Sequence, residues 1–267
     1  MRIIVEHRTR YRFTEPQTRL IQLLRMTPDD TDDQTVVAWS IDVDCDARLR
    51  ESRDGLGNRQ TMLYADGPLD GIEISVRGEV LTGEPQGLLR GMAEPLPPTF
   101  YLRESERTMP GAALAAFARD ALDGGAIDLD AIVRFSRSLG DRLTGVEGET
   151  LRDAATVFDS GTASAREVAQ AMVAGLRAAE VPSRYVGGYR QDESQSCAPH
   201  GWVEAFVPDQ GWCAIDPSRG ALIDDRYVRV AIGIDTASAA PVAGSRLGAG
   251  EESLDVALIV AQANGQD

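Results

Sequence analysis

The sequence predicts an α+β protein with an N-terminal antiparallel β-sandwich or barrel-like domain, followed by helices packed on an antiparallel sheet. Two observations carry this prediction. Up to about residue 88, large apolar residues alternate with charged ones, as in half-buried strands. After a proline-rich stretch, the apolar spacing changes to three and four, as in amphipathic helices. The 267 residues are enough for two domains.

The N-terminal domain is predicted from repeated short runs of period two. The clearest are Arg2–Phe13, Thr35–Val43 and Gly71–Leu81. Clusters rich in Asp, Gly, Pro and Asn separate these runs and are typical of turns. Short strands at this spacing favour an antiparallel sandwich or barrel, so we expect a β-rich domain over residues 1–92.

The second domain is predicted to begin after Glu94–Pro98, because closely spaced prolines end helices and central strands. Helices are expected at Gly111–Leu122 and Leu129–Leu143, and a third ends before Pro182. The strands expected after it are Ser183–Tyr189, Gly201–Val207, Trp212–Ile215 and Tyr227–Ile232. This gives a core over residues 99–235, then a small-residue linker and one strand, Ser253–Val260, within residues 236–267.

Composition excludes several classes of function. The 42 acidic and 27 basic residues give a net charge of −15, which disfavours nucleic acid and anionic membranes as partners. Every basic residue is arginine, so a Schiff-base lysine and a Walker-type phosphate loop are both excluded.

The cysteines and the N-terminus predict a cytoplasmic protein without cofactor. Cys45, Cys197 and Cys213 are an odd number without metal-ligand spacing, which indicates reduced thiols and no metal site. The first residues lack the apolar core of a signal peptide, and no run is long enough to span a bilayer.

Three motifs follow the third helix in a fixed order. They are Val181–Tyr189 (VPSRYVGGY), His200–Trp202 (HGW) and Gly211–Pro217 (GWCAIDP). This order resembles the bacterial transglutaminase-like family, in which a Gly-Ile-Pro-Ala-Arg-Tyr-Val-Ser-Gly-Tyr-like run precedes a His-Ala-Trp strand and a Gly-Trp…Asp-Pro strand. The resemblance covers nearly the whole chain. It implies a papain/transglutaminase-like α+β core behind the family's N-terminal domain.

The resemblance also implies a cysteine, histidine and aspartate triad. The family's cysteine lies at a helix N-terminus, where the helix dipole favours thiolate, and histidine acts as base while a carboxylate orients it. His200 and Asp216 match the second and third members. The cysteine position is occupied by Ala165, and Ala163 and Glu167 replace the family's glycine and aspartate.

Strand register supports the pairing of His200 with Asp216. If the hairpin turns through Pro208–Gln210, Val207 lies opposite Gly211 and Asp216 lies opposite Trp202. His200 is then a diagonal neighbour of Asp216 on the same face. A loop of even length would place the two on opposite faces.

Other side chains could replace the missing nucleophile. Ser164 is a candidate, although the spacing Ser164-x-x-Glu167 favours a helix capping box instead. Cys197 lies three residues before His200 in a polar loop and is a second candidate, whereas Cys213 is expected to be a buried strand residue. An engineered change at Ala165 is a further alternative.

Three functional hypotheses follow. The first is a pseudoenzyme that binds a peptide or protein in its cleft, with Trp202, Tyr185 and Ser164 as candidate binding residues. The second is an active cysteine-protease-like amidase, peptidase or transglutaminase with a displaced nucleophile. The third is a structural module that joins other proteins through its N-terminal domain. Substrate and oligomeric state stay open.

Overall fold

The computed structural model of the protein describes residues 1–85, 87–123, 125–146, 148, 151–192 and 199–263. The strands are β1 (Arg2–Leu24), β2 (Gln34–Val43), β3 (Ala47–Arg53), β4 (Arg59–Thr82), β5 (Thr144–Gly145), β6 (Thr162–Ala163), β7 (Ser183–Arg190), β8 (His200–Val207), β9 (Gly211–Asp216), β10 (Ala221–Leu222), β11 (Tyr227–Gly233), β12 (Val242–Leu247) and β13 (Glu252–Gln262). The α-helices are α1 (Gly111–Leu122), α2 (Leu129–Arg142), α3 (Ala154–Ser160) and α4 (Ala165–Ala178).

The N-terminal sheet is built on two long antiparallel strands. β1 and β4 pair along their length, with a register shift between Arg12 and Arg19. β2 pairs with one end of β4 and β3 with the other. Side chains from both ends, such as Ile74 and Leu63, meet in one core cluster. The predicted α+β class and antiparallel sheet are confirmed, and within the described residues no barrel closes.

Alternation explains why these residues form this sheet. In β1 the side chains of Ile3, Val5 and His7 are buried, while the residues between them are exposed. Since successive side chains of a strand point to opposite faces, this pattern gives β1 one face toward the core.

The last segment completes the N-terminal sheet. β12 and β13 both pair antiparallel with β1. The predicted strand Ser253–Val260 lies within β13, whereas β12 lies in the segment whose small residues predict a linker. The domain limits 1–92, 99–235 and 236–267 stay a prediction.

The second sheet has the order β10-β9-β8-β7-β11, with α4 packed on β7 and β8. The predicted helices α1, α2 and α4 are confirmed, whereas α3, with seven residues, was not predicted. The helices share a buried cluster with the sheet residues Tyr185, Val203 and Ile215. None of the helices in the described part of the chain is long and apolar enough to span a bilayer.

Buried polar side chains join the two sheets. The Asn58 side chain donates to the Ile232 carbonyl and accepts from the Ile232 N–H, at 2.9 and 2.8 Å. Gln34 makes the same pair of contacts with the Arg229 backbone, at 3.0 and 2.8 Å. The His7 ring, which is 3% exposed, lies 3.0 Å from the Tyr189 hydroxyl. The Asn58 and Gln34 contacts satisfy buried backbone groups of β11, and the His7 contact pairs two buried side chains.

A charged network holds the connecting segment against the second sheet. Glu204 and Arg184 have fully buried side chains whose Oε2 and Nε lie 2.5 Å apart. Arg184 also donates twice to Glu94 in the connection, and Arg229 donates to Glu204. The Arg184 guanidinium lies 3.9 Å from the ring centroid of Trp212. The connection is therefore bound to β7 through Arg184.

Candidate active site

His200 and Asp216 are joined by a hydrogen bond between neighbouring strands. His200 Nε2 lies 2.7 Å from Asp216 Oδ2. The β8–β9 register has Val207 opposite Gly211, as the predicted turn requires, so the register prediction is confirmed. The odd-length turn thus places His200 at the start of β8 diagonally across from Asp216 at the end of β9.

Asp216 is buried and accepts several hydrogen bonds. Its Oδ2 also accepts from the Tyr227 hydroxyl at 2.7 Å, and its Oδ1 accepts from the Ser218 N–H and hydroxyl at 3.0 and 2.6 Å. Burial alone would raise the pKa of Asp216, but the bonds from His200, Ser218 and Tyr227 lower it below its ordinary value. Asp216 is therefore held as a carboxylate.

The carboxylate determines which nitrogen of His200 carries a proton. An ionised carboxylate only accepts hydrogen bonds, so Nε2 is the donor in this pair. In the neutral imidazole Nδ1 then keeps its lone pair and can accept a proton. The side chain of His200 is 15% exposed, so the ring reaches solvent. This arrangement is suited to general base and acid chemistry at Nδ1.

Aromatic rings form the wall behind His200. The Trp202 ring is stacked with the His200 ring at 6.4 Å, and the Tyr227 ring meets Trp202 edge-on at 5.4 Å. A Cβ at Gly188 would lie 2.6 Å from Trp202, so a glycine is needed there. Trp202 is 0% exposed and Tyr185 is 3% exposed, so in this conformation both support the site from behind. Their binding role stays a prediction.

The first turn of α4 carries the predicted capping box. Ser164 is the N-cap: its hydroxyl accepts from the Glu167 N–H at 3.4 Å, and Glu167 Oε2 accepts from the Ser164 N–H at 2.9 Å. Arg152 donates to Glu167 Oε1 at 2.8 Å. Burial would raise the pKa of Glu167, but Arg152 and the cap lower it to about 2. The capping interpretation of Ser164 is confirmed as geometry.

Ala165 is the first residue of α4, and its methyl group can make no hydrogen bond to His200. The Tyr185 hydroxyl lies against Gly201, beside the histidine pair. A Cβ at Gly201, next to His200, would lie 2.0 Å from the Tyr185 hydroxyl. Burial raises the pKa of Tyr185, while the charge of Arg166 lowers it and that of Asp216 raises it.

The comparisons with known proteins agree with this geometry. The profile of the bacterial transglutaminase-like N-terminal region matches residues 3–81, and that of the transglutaminase-like superfamily core matches residues 116–217. The chain is a bacterial transglutaminase-like protein. Its core profile includes α4, β7, β8 and β9, which carry the candidate site.

Relatives and solved structures extend this assignment. The uncharacterized protein Rv2569c of Mycobacterium tuberculosis is 26% identical over 90% of this chain and 86% of its own length. A protein-glutamine gamma-glutamyltransferase of Pseudomonas aeruginosa is 35% identical over 23% of this chain and 11% of its own. The crystal structure of a candidate cysteine protease from Cytophaga hutchinsonii has a TM-score of 0.79 and 17% identity, covering 100% of this chain and 92% of that one. It shows that the two share a fold.

Two cysteines of this transglutaminase-like protein lie in surroundings that disfavour the thiolate form. Burial raises the pKa of Cys45, and burial raises that of Cys213 in β9 to about 12. Cys213 is 0% exposed, as predicted from the strand pattern. Cys197 lies outside the described residues. No group of His, Cys, Asp and Glu in the described ranges could hold a metal ion.

Sequence reasoning missed two of the groups that hold Asp216. Tyr227 was recognised only as the start of a strand, and nothing local shows that its hydroxyl reaches β9. Ser218 had a usable signal in the run Asp216-Pro217-Ser218, because Asp-Pro favours a turn in which the Asp side chain accepts from the N–H two residues later. Both groups fix the carboxylate that orients His200.

Proposed function

We propose that this transglutaminase-like protein has lost acyl transfer by a cysteine nucleophile and binds a peptide or protein segment beside His200. The observation that carries the proposal is Ala165 at the first position of α4, where the family motif has cysteine. The histidine and aspartate pair is assembled without that nucleophile. The site is then a transglutaminase-like cleft with a base and no thiol to activate.

Loss of the nucleophile has a large expected effect on rate. In a comparable triad, removing it lowers kcat by about 10⁴ to 10⁶. Ser164 is a poor replacement for the cysteine nucleophile, because its hydroxyl oxygen accepts a hydrogen bond from the Glu167 N–H in the cap. The thiols of Cys45 and Cys213 stay protonated near neutral pH, because burial raises both pKa values.

A peptide or protein segment is the ligand class that the relatives support. The Pseudomonas relative is named for action on protein glutamine, and the Cytophaga structure for proteolysis. Both activities place a polypeptide against the triad. The net charge of −15 makes nucleic acid an unsuitable ligand.

Restoring the thiol tests the proposal. We expect Ala165→Cys to react rapidly with iodoacetamide near neutral pH, because the cysteine would lie at a helix N-terminus and be served by His200. Adding His200→Ala should slow that reaction at least about tenfold. Ser164→Cys is the matched control, since it places a thiol one residue earlier, in the cap.

The unmodified protein is then assayed against fluorogenic peptide amides and for incorporation of a fluorescent amine into casein. We expect no turnover that depends on His200. Turnover abolished by His200→Ala would overturn the loss of acyl transfer. If the thiol of Ala165→Cys reacts slowly with iodoacetamide, at a rate that does not depend on His200, the site around α4 no longer supports a thiolate.

A displaced nucleophile is the second candidate function, and it is favoured by the position of Cys197 three residues before His200. It predicts an active amidase, peptidase or transglutaminase whose turnover is lost in Cys197→Ser and kept in Ser164→Ala. Loss in Ser164→Ala instead would assign the reaction to the serine. The same substrates serve for both variants.

A further inference from the structure

β13 forms an edge of the N-terminal sheet. Among the described residues it pairs with β1 alone, without a register shift from Glu252 to Gln262. Leu254 and Ile259 on this strand are 55% and 58% exposed. The backbone groups on its outer side therefore have no strand partner in the described part of the chain.

The other edges of this sheet carry features that block further pairing. β2 has an irregularity between Val36 and Ala38. β3 is highly charged, and β12 has only six residues. Bulges, charges and short length are the devices by which proteins protect open edges. β13 has few of them: its eleven residues contain no proline, basic residue or bulge, and its two acidic residues, Glu252 and Asp255, leave residues 256–262 without charge.

We propose that β13 pairs antiparallel with β13 of a second copy of this chain, so that the two N-terminal sheets become continuous. The register that pairs the whole strand places residue 252 opposite residue 262 and is centred on Ala257. Asp255 then lies opposite Ile259 of the other copy, and Leu254 lies opposite Val260. This interface is separate from the His200 site.

Charge and side-chain pattern point to a second copy as the occupant. In the full-length register no carboxylate opposes another, because Glu252 meets Gln262 and Asp255 meets Ile259. One face of β13 continues the buried face of β1 and carries Leu254, Val256, Leu258 and Val260. In this register these four residues of one copy lie opposite the same four residues of the other copy. Apolar cross-strand pairs stabilise a sheet, and opposed like charges destabilise it.

The interface is small, so the dimer should form reversibly. A single pair of strands buries less than the area typical of permanent complexes. The net charge of −15 on each copy opposes association, but at physiological ionic strength charges beyond about 8 Å are largely screened. We therefore expect a monomer–dimer equilibrium that shifts with concentration and salt.

Charge substitution at Ile259 tests the register by sedimentation up to about 0.5 mM protein. Ile259→Glu places a carboxylate opposite Asp255 twice per dimer and should raise the dissociation constant about tenfold. Ile259→Lys introduces a charge at the same exposed position but opposite in sign to Asp255, so its dimer should be at least as tight as the wild type. Because Glu6 also neighbours residue 259 within one chain, melting at low concentration checks that each monomer is folded.

Disulfide trapping tests the two-fold centre directly. Ala257→Cys should form a disulfide-linked dimer under mild oxidation, since the two residues face each other across the axis. Ala261→Cys is the matched control, because its two thiols would lie about 26 Å apart. The wild type measures any background from native thiols. A monomeric wild type at the highest concentration, equal effects of Glu and Lys at 259, or equal cross-linking at 257 and 261 would each overturn the proposal.

Discussion

Glu204 should be among the most sensitive positions for stability in this protein. Its carboxylate is fully buried and bonds to Arg184 at 2.5 Å and to Arg229 at 2.6 Å. Burial would raise the pKa of Glu204, but the two arginines lower it to about 2. Glu204→Gln keeps the shape of the side chain and removes its charge, which leaves Arg184 with less compensation in the interior.

The expected loss of stability in Glu204→Gln depends on the contacts that Arg184 keeps. Removing one partner of a buried ion pair destabilises the folded state by about 3–5 kcal/mol. Arg184 keeps its two bonds to Glu94, at 2.7 and 2.8 Å, so part of its charge stays compensated. We therefore expect a loss near the lower end, about 3 kcal/mol in the free energy of unfolding.

The measurement is urea denaturation followed by tryptophan fluorescence, because Trp212 lies against the Arg184 guanidinium. Asp66→Asn is the matched control: it breaks the Arg19–Asp66 pair, whose side chains are 57% and 68% exposed, and should cost less than about 1 kcal/mol. Equal losses in the two variants, or a loss below about 1 kcal/mol in Glu204→Gln, would refute the reasoning from burial.

Two further predictions concern the sheet junction and the cap of α4. Burial lowers the pKa of His7 to about 4, below its ordinary value of 6.5, so the unfolded chain binds the proton more readily. This difference in pKa contributes about 3 kcal/mol to the free energy of unfolding. The contribution is complete above pH 6.5 and is lost as pH falls toward 4. Denaturation at pH 7 and pH 4.5 should show a smaller difference in the free energy of unfolding for His7→Asn than for the wild type. An equal difference in the two proteins would contradict the prediction. Ser164→Ala should cost about 1 kcal/mol, whereas Ser164→Thr keeps most of the cap, and equal losses would exclude the capping role.

Much of the site could be predicted because its signals are local. The capping box lies within four residues, and the period of the side chains made α4 recognisable. The pairing of His200 with Asp216 followed from the length of one hairpin turn. In each case the partners belong to one helix turn or to one hairpin, at most sixteen residues apart, so period and spacing suffice.

The rest was decided by tertiary structure. The return of β12 and β13 to β1 joins residues more than two hundred positions apart, and no local period encodes that partner. Tyr227 lies only eleven residues after Asp216, but its strand β11 pairs with β7 and not with β9, so no local pattern predicts that its hydroxyl reaches Asp216. The burial of Glu204 between two arginines depends on three separate segments. The sequence alone determined the family and the helices α1, α2 and α4, and it predicts that alanine at position 165 replaces the family's cysteine. Only the packed structure decided which charges are buried and which sheet edge stays open, because burial is a property of the whole assembly of segments.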